Sequence, residues 1–400
     1  MLMHTFLIVQ ILLIIFLGLP MVYLCILSFS ALAYKSHYRS PSAKRYRKYA
    51  LVVPAHNEEK VISLLLKDLK NLDYPSEKYD VFVIADNCTD RTADIVKKFG
   101  YSVLHRNDPN KKGKGYALHW GLNEILSRPS SFDGIIILDA DVRIYPNAIH
   151  VLNSHIEKGA EVVQGYIKLK PEPGEWSSES TRFGRTLNNY VRAMGRKKMG
   201  YSTTLKGIGM CFSVNILMNN PWKAYSLTED LEYGLHLILK NIDIVFAPEV
   251  IGYAISPHNP QNAESQRQRW ELGRFPLIRK YIPKLIMAFL RNGSFRYLDA
   301  LIDLITPPLV NYMFYIGILM VIYIAAWSIG LQMAAYMVIA WFSLILVGFV
   351  HVYIGLIVAN DRSLYRVINY VPRYVIWKVK IYLKAILKGR ENKWIRTIRD

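Results

Sequence analysis

The chain has 400 residues, of which 52% are hydrophobic, and its 50 basic and 31 acidic side chains leave a net charge of +19. A length of this kind allows about two to three domains, and so basic a balance admits nucleic acid, a membrane surface or an anionic substrate as partner. The three cysteines, Cys25, Cys88 and Cys211, are far apart and in no metal-ligand spacing, which excludes a disulfide framework and fits a reducing compartment.

The chain opens on an almost continuous apolar run from Phe6 to Tyr34 with no charged residue. That exceeds the roughly 20 residues needed to span a bilayer. A cleaved signal would have a basic start and a shorter core. Here the first five residues carry no Lys or Arg, so residues 1–34 read as a retained transmembrane helix. A basic linker, 35–48, follows with Lys35, Arg39, Lys44, Arg45, Arg47 and Lys48 and no acid. The positive-inside rule puts that side in the cytoplasm and the N-terminus outside.

Residues 49–275 read as a soluble α/β unit. Tyr49–Val53 is an apolar strand ending at Pro54, and Glu58–Leu72 has helical periodicity. Tyr79–Ile84 is the next strand, and Asp90–Phe99 a helix capped near Thr89 or Asp90. Tyr101–Leu104 is a short strand, Gly115–Leu126 a helix and Ile135–Leu138 a buried strand. Strands alternating with helices imply a mainly parallel sheet covered on both faces.

Residues 276–400 return to membrane character. Leu277, Tyr281, Leu285 and Phe289 form an apolar stripe flanked by Lys280, Lys284 and Arg291, which suits an interfacial helix. Two runs, about 304–329 and 333–359, are each long enough to span. The uncharged link between them, against Arg362 and Arg366 beyond, places the catalytic unit and C-terminus inside. Residues 364–387 carry apolar positions at helical spacing interleaved with Arg373, Lys380 and Lys384, as expected of a second basic interfacial helix rather than a fourth span. Anionic membrane lipid is then the simplest account of the charge, and nucleic acid is not expected as a partner.

Several strand ends carry chemistry. Ile135-Ile-Ile-Leu-Asp-Ala-Asp141 runs four apolar residues into two carboxylates. In an extended chain residues i and i+2 face one side, so Asp139 and Asp141 can converge on Mg2+ or Mn2+ shared with phosphates. For a lone pair of this kind a solvated strand end is the favoured reading. However, Val53-Pro-Ala-His-Asn-Glu-Glu59 and Ile84-Ala-Asp-Asn-Cys-Thr-Asp90 place further polar groups on the same sheet edge, where α/β sheets bind ligands. Lys114 lies between Gly113 and Gly115, in a loop that either approaches a diphosphate or is simply a basic solvated turn. Ser226-Leu-Thr-Glu-Asp-Leu-Glu232 reads as a capping box of Ser226 with Glu229, or as a source of a general base. Gln266, Arg269 and Trp270, at i, i+3 and i+4, share a helix face that offers a guanidinium to a diphosphate and an indole to a sugar ring.

Together, Pro-Ala-His-Asn-Glu-Glu (54–59), Ala-Asp-Asn-Cys-Thr-Asp (85–90), Gly-Lys-Gly (113–115), Asp-Ala-Asp (139–141), Thr-Glu-Asp (228–230) and Gln-Arg-Gln-Arg-Trp (266–270) resemble the motifs of family-two glycosyltransferases. The resemblance is to the membrane-integrated branch that includes cellulose, hyaluronan, chitin and poly-N-acetylglucosamine synthases. It implies a GT-A fold, Rossmann-like and mostly parallel, and an inverting, metal-dependent transfer from a UDP-sugar to a growing β-glycan. A lipid acceptor of ceramide or polyprenyl type is the alternative, and a non-enzymatic scaffold has little support. By the resemblance, Pro54, Ala55, Asn57, Glu58 and Asp86 hold the nucleoside and Lys114 the donor. Asp141 binds the metal with Asp139, which alternatively contacts the ribose. Asp230 is the general base with Thr228 and Glu229 in support, and Gln266, Arg269 and Trp270 close over diphosphate and acceptor. Three spans are fewer than the large synthases have, so polymer export would call for a homo-oligomer or an accessory subunit.

Overall fold

A computed structural model describes residues 2–128, 132–171, 175–255, 260–370, 372–373 and 376–377, without the side chains of 2–7 and 260–272. In chain order the first half comprises α1 (Leu2–His37), β1 (Tyr49–Ala55), α2 (Ile62–Lys70), β2 (Tyr79–Asp86), α3 (Thr92–Lys98), β3 (Ser102–Arg106), α4 (Lys114–Leu126), β4 (Gly134–Ile137), β5 (Val142–Ile144), α5 (Ala148–Glu157) and β6 (Val162–Lys170). The second half comprises α6 (Trp176–Thr186), α7 (Arg192–Lys198), β7 (Met210–Ser213), α8 (Val214–Asn219), α9 (Glu229–Leu239), β8 (Ile244–Ile255), α10 (Pro260–Asn292), α11 (Phe295–Ile305), α12 (Leu309–Ser328) and α13 (Met333–Ala359). A 3₁₀ segment, Arg362–Tyr370, follows. Most of the tail expected to form an interfacial helix over 364–387 lies outside the described residues. Two compact units result: one takes Arg39–Ser178 and Gly200–Leu301, and the other takes the chain to Tyr38, Glu179–Met199 and the chain from Ile302.

The first unit is built on one eight-stranded sheet in the order β3-β2-β1-β4-β7-β6-β8-β5. β3, β2, β1 and β4 are parallel, as the alternating pattern predicts. β7 runs antiparallel to β4 and β6, and β5 antiparallel to β8, so the other half of the sheet is mixed. β1 is buried on one face at Tyr49, Leu51 and Val53 and on the other at Ala50 and Val52, which is what a central strand with both faces covered requires. Leu65, Leu66 and Leu69 of α2 and Ile149 and Leu152 of α5 complete the same core.

Two expected boundaries shift, each for a local reason. β1 continues through Pro54, which pairs in register with Ile84, to Ala55. α2 begins at Ile62 rather than Glu58: residues 59–61 form a turn in which Glu58 O accepts from Val61 N at 3.1 Å and from Ile62 N at 2.9 Å, while Glu58 N donates to Thr92 Oγ1 at 2.8 Å.

The second unit contains three helices long and apolar enough to cross a membrane, Ile8–His37, Leu309–Ser328 and Met333–Ala359. The expected run from 304 is broken at Pro307-Pro308, so α11 ends at Ile305 and α12 starts at Leu309. Leu17 and Met21 of α1 pack with Tyr312, Ile316, Trp341 and Leu344 of α12 and α13. Lys35 Nζ donates to Val358 O at 2.7 Å, placing a cation on the carbonyl end of α13.

The boundaries of the expected 49–275 unit need correcting in two places. Residues 179–199 leave it to pack with α1 and α13, and α10 with the start of α11 joins it. Gly195 explains how the first is possible, since a Cβ there would stand 2.2 Å from Leu27 O and only glycine lets the two backbones approach. Two arginines of the segment pair with acids of the same unit. Arg196 and Asp303 are 2% and 5% exposed at the side chain and pair at 2.9 Å. Arg182 reaches Asp361 at 3.0 Å. Breaking a buried pair leaves a bare charge, which costs roughly 3 kcal/mol or more, whereas an apolar pair of similar volume can be neutral. Arg196→Met alone should therefore lower the unfolding free energy in detergent by about 3 kcal/mol, and Arg196→Met with Asp303→Leu should restore most of it. A double variant as unstable as the single one would contradict this.

Candidate active site

Because β1, β2 and β4 are parallel neighbours, their carboxyl ends share one sheet edge. The polar loops expected to be functional all begin there. At the first, Asn57 adopts a left-handed φ of 55°. Its Oδ1 accepts from Thr89 N at 2.7 Å, while Glu59 N donates to Asp90 Oδ2 at 3.1 Å. The loops after β1 and β2 thus hold one another. Asp90 also accepts from Thr92 N and Thr92 Oγ1 at the start of α3, although the N-cap residue is Arg91 rather than the expected Thr89 or Asp90.

Asp86 ends β2 and is only 5% exposed. Its Oδ1 accepts from Arg106 Nη1 at 2.5 Å and from Asn87 Nδ2 at 2.9 Å. Burial pushes the carboxyl up and the guanidinium opposes that rise. Sequence reasoning missed Arg106 because it ended β3 at Leu104. The strand runs on to Arg106 and delivers the side chain to the ligand edge. Arg106 Nη2 then donates to Lys111 O at 2.8 Å and ties in the loop that leads to Lys114.

The densest charge lies at the end of β4. Lys114, the first residue of α4, sets its Nζ 2.6 Å from Asp139 Oδ1 and 3.6 Å from Glu229 Oε1, and donates to Gly207 O at 2.8 Å. Gly207 has φ 79°, and a Cβ there would stand 3.2 Å from Asp230 Oδ2 and 3.5 Å from Lys114 Nζ. One ammonium therefore sits among Asp139, Glu229 and Asp230. Burial opposes its charge, but the carboxylates more than offset this and its pKa rises. Burial raises Asp230. It raises Glu229 to about 7, with Lys114 opposing and Asp230 adding to the shift.

Residues 139–142 form a turn closed by Val142 N donating to Asp139 O at 3.4 Å, so the expected extended geometry is absent. Ala140 is buried at 4% exposed, and Asp139 and Asp141 on either side of it are half-buried. Among the described residues no group of three or more His, Cys, Asp or Glu could hold a metal ion. An ion on these two aspartates would need ligands from elsewhere.

The loop before α9 departs from the expected capping box. Thr228 is the N-cap residue, and Glu232, not Glu229, accepts from Ser226 N at 3.0 Å and from Tyr225 N at 3.1 Å. Lys280 Nζ holds Glu232 from α10 at 2.5 Å. Thr228 Oγ1 donates to Gly273 O at 3.2 Å, so α10 is anchored to this loop three residues beyond Trp270. The side chains of Gln266, Arg269 and Trp270 lie outside the described residues. The structure thus gathers Lys114, Asp139, Glu229 and Asp230, and places Asp86 with Arg106 in a separate pair on the same edge.

A family model described as "Glycosyltransferase like family 2" matches residues 47–273, more than half of the chain. The chain belongs to glycosyltransferase family 2. Its mixed, mostly parallel sheet with flanking helices is the GT-A fold of that family. A probable glycosyltransferase, YdaM, of Bacillus subtilis is 25% identical over 389 residues, covering 89% of this chain and 88% of that protein. A β-monoglucosyldiacylglycerol synthase of Nostoc is 26% identical over 266 residues, and the match covers 64% of this chain but only 55% of that protein. A mannosyltransferase of Pyrobaculum calidifontis, solved with GDP-Man and Mn2+, superposes with a TM-score of 0.49 at 16% identity over 82% of this chain and 99% of that one.

The raised carboxyl in this transferase has a measurable consequence. Glu229 titrates at about 7 when folded against an ordinary 4.5. The folded state therefore binds the extra proton, and the associated stability is full below the unfolded value and lost as pH rises through about 7. Denaturation between pH 5 and 8 should show wild type losing stability relative to Glu229→Gln as pH rises. Parallel pH curves would contradict the shift.

Proposed function

We propose that this transferase moves a sugar from a UDP-sugar, with inversion, to a growing β-glycan at the cytoplasmic face of a membrane. The observation that carries the reading is the single ammonium of Lys114, 2.6 Å from Asp139 and 3.6 Å from Glu229, with Asp230 beside it at the ligand edge of the sheet. A solvated strand end has no need to gather one ammonium among three carboxylates.

Each group then has a role. Asp86 and Arg106 present an acceptor and a donor side by side, the complement of a base edge with an N–H next to a carbonyl. Pro54, Ala55, Asn57 and Glu58 form the wall beside them. Asp139 and Asp141 are hard oxygen donors that suit Mg2+ or Mn2+ with the donor's phosphates as further ligands, and the Lys114 ammonium 2.6 Å from Asp139 supports a cation position there. When bound, the ion supplies positive charge to the leaving diphosphate.

Asp230 takes the proton from the acceptor hydroxyl. That oxygen bonds to the anomeric carbon from the face opposite the diphosphate as the bond to the diphosphate breaks. Burial raises Asp230 and strengthens it as a base. A diphosphate leaves without being protonated, so no second catalytic acid is required, in contrast to glycoside hydrolysis. Gln266, Arg269 and Trp270 of α10 close over diphosphate and acceptor, and Thr228 and Glu229 support Asp230. The three apolar helices and the basic stretch after α1 support a membrane-embedded protein with its transferase unit in the cytoplasm. Membrane lipids surround it, and a homo-oligomer or an export subunit would complete a path for polymer.

A lipid acceptor is the second reading, favoured by the relative whose name records synthesis of a glucosyldiacylglycerol. Purified protein given UDP- and GDP-sugars with Mn2+ and a membrane extract decides between them. Mass spectrometry should find polymer, whereas a single sugar on an extracted lipid replaces the first reading with the second. Asp230→Asn should cut transfer at least about a hundredfold while UDP affinity stays within about threefold. Loss of both together would remove Asp230 from the base role. Asp141→Asn should weaken UDP binding about tenfold in Mn2+ and leave it unchanged with chelator, because the carboxylate acts through the ion. Equal affinities in Mn2+ would count against that.

A further inference from the structure

Gln164 stands on β6 inside the sheet and is 3% exposed. An amide buried that deeply is costly unless its groups are paired. Here its Nε2 donates to Gly165 O and to Ile208 O, each at 2.8 Å, and its Oε1 accepts from Lys206 N at 2.8 Å. The side chain therefore works as a rung across residues 206–208, gripping an N–H on one side of Gly207 and a carbonyl on the other. Gly209 closes the same turn, donating to Ile137 O at 3.0 Å and accepting from Gly165 N at 2.9 Å.

What the turn holds is the cation of the site. With Lys206 N and Ile208 O both fixed, the Gly207 carbonyl has one direction to point, and it accepts from Lys114 Nζ at 2.8 Å. That contact sets the ammonium 2.6 Å from Asp139 and 3.6 Å from Glu229. We propose that Gln164 is a positioning residue for sugar transfer, fixing through the 206–208 turn the Gly207 carbonyl that holds Lys114 among the carboxylates. The proposal rests on the reading of this edge as the transfer centre. An apolar side chain of the same length fills the same space, so a purely structural role predicts that Gln164→Met preserves the site. Gln164→Glu keeps an acceptor for Lys206 N but turns a carboxylate oxygen toward the carbonyls of Gly165 and Ile208, so it disturbs the turn by repulsion as well as by the two lost bonds.

The test uses the full chain in detergent. Acetic anhydride labelling read by peptide mass spectrometry compares Lys114 with the exposed Lys223. Held by its carboxylates, Lys114 should label less than Lys223 in wild type, and that ratio should rise at least about threefold in Gln164→Met and in Gln164→Glu as the hydrogen bonds to the turn are lost. Release of nucleoside diphosphate from UDP-glucose, UDP-N-acetylglucosamine or GDP-mannose should show kcat about tenfold lower in both variants, with donor KM within about threefold. Wild-type labelling and kcat in both folded variants would overturn the proposal. So would loss of folding in both, which would make Gln164 a stability residue. If the wild type turns over none of the three donors, the transferase reading is what fails, while the labelling ratio still decides whether Gln164 places Lys114.

Discussion

The contact on which this site depends is the ammonium of Lys114 set among Asp139, Glu229 and Asp230. Three carboxylates brought together at a half-buried strand end repel one another and resist ionisation. One cation in their midst lets them share the space. The fold supplies every part of that arrangement from a different direction. β4 carries Asp139, α4 begins at Lys114, and α9 begins at Glu229 and Asp230. The turn at 206–209 closes it from β6 by way of Gln164. A site assembled from four elements needs each of them placed, and the sheet places them.

The same logic separates two tasks along the edge. Asp86 and Arg106 form a closed pair beneath the loops after β1 and β2, which interlock through Asn57, Thr89, Glu59 and Asp90. On the proposed reading, that half takes the base of the donor. The Lys114 half faces a cation with groups whose ionisation is perturbed, and it is suited to charge moving during a reaction.

Much of this was legible in the amino acids and some was not. Apolar runs ending in polar residues gave β1, β2 and β4, since a strand buried on both faces must be apolar throughout. Asp139, Lys114 and Asp230 were singled out from motifs alone. Arg106 was not, because β3 was ended two residues early at Leu104. Gln164 was not, because a glutamine inside Val162–Tyr166 shows its purpose only when residues 206 and 208 are beside it. β7 is four residues long and pairs with strands distant in sequence, which leaves no local period to read. The 179–199 segment looks soluble because it carries Arg182, Arg192 and Arg196. Its packing with apolar helices depends on Asp303, Asp361 and Gly195, and none of these contacts is local.

The central claim is that this carboxylate edge receives the metal-bound diphosphate of a nucleotide-sugar. The most direct measurement is a crystal structure of the protein with UDP and Mn2+. The account predicts the ion on Asp139 and Asp141, the diphosphate completing its shell, the base beside Asp86 and Arg106, and Lys114 moved off Asp139. Nucleotide bound elsewhere, or an ion at this edge with Lys114 still on Asp139, would contradict it.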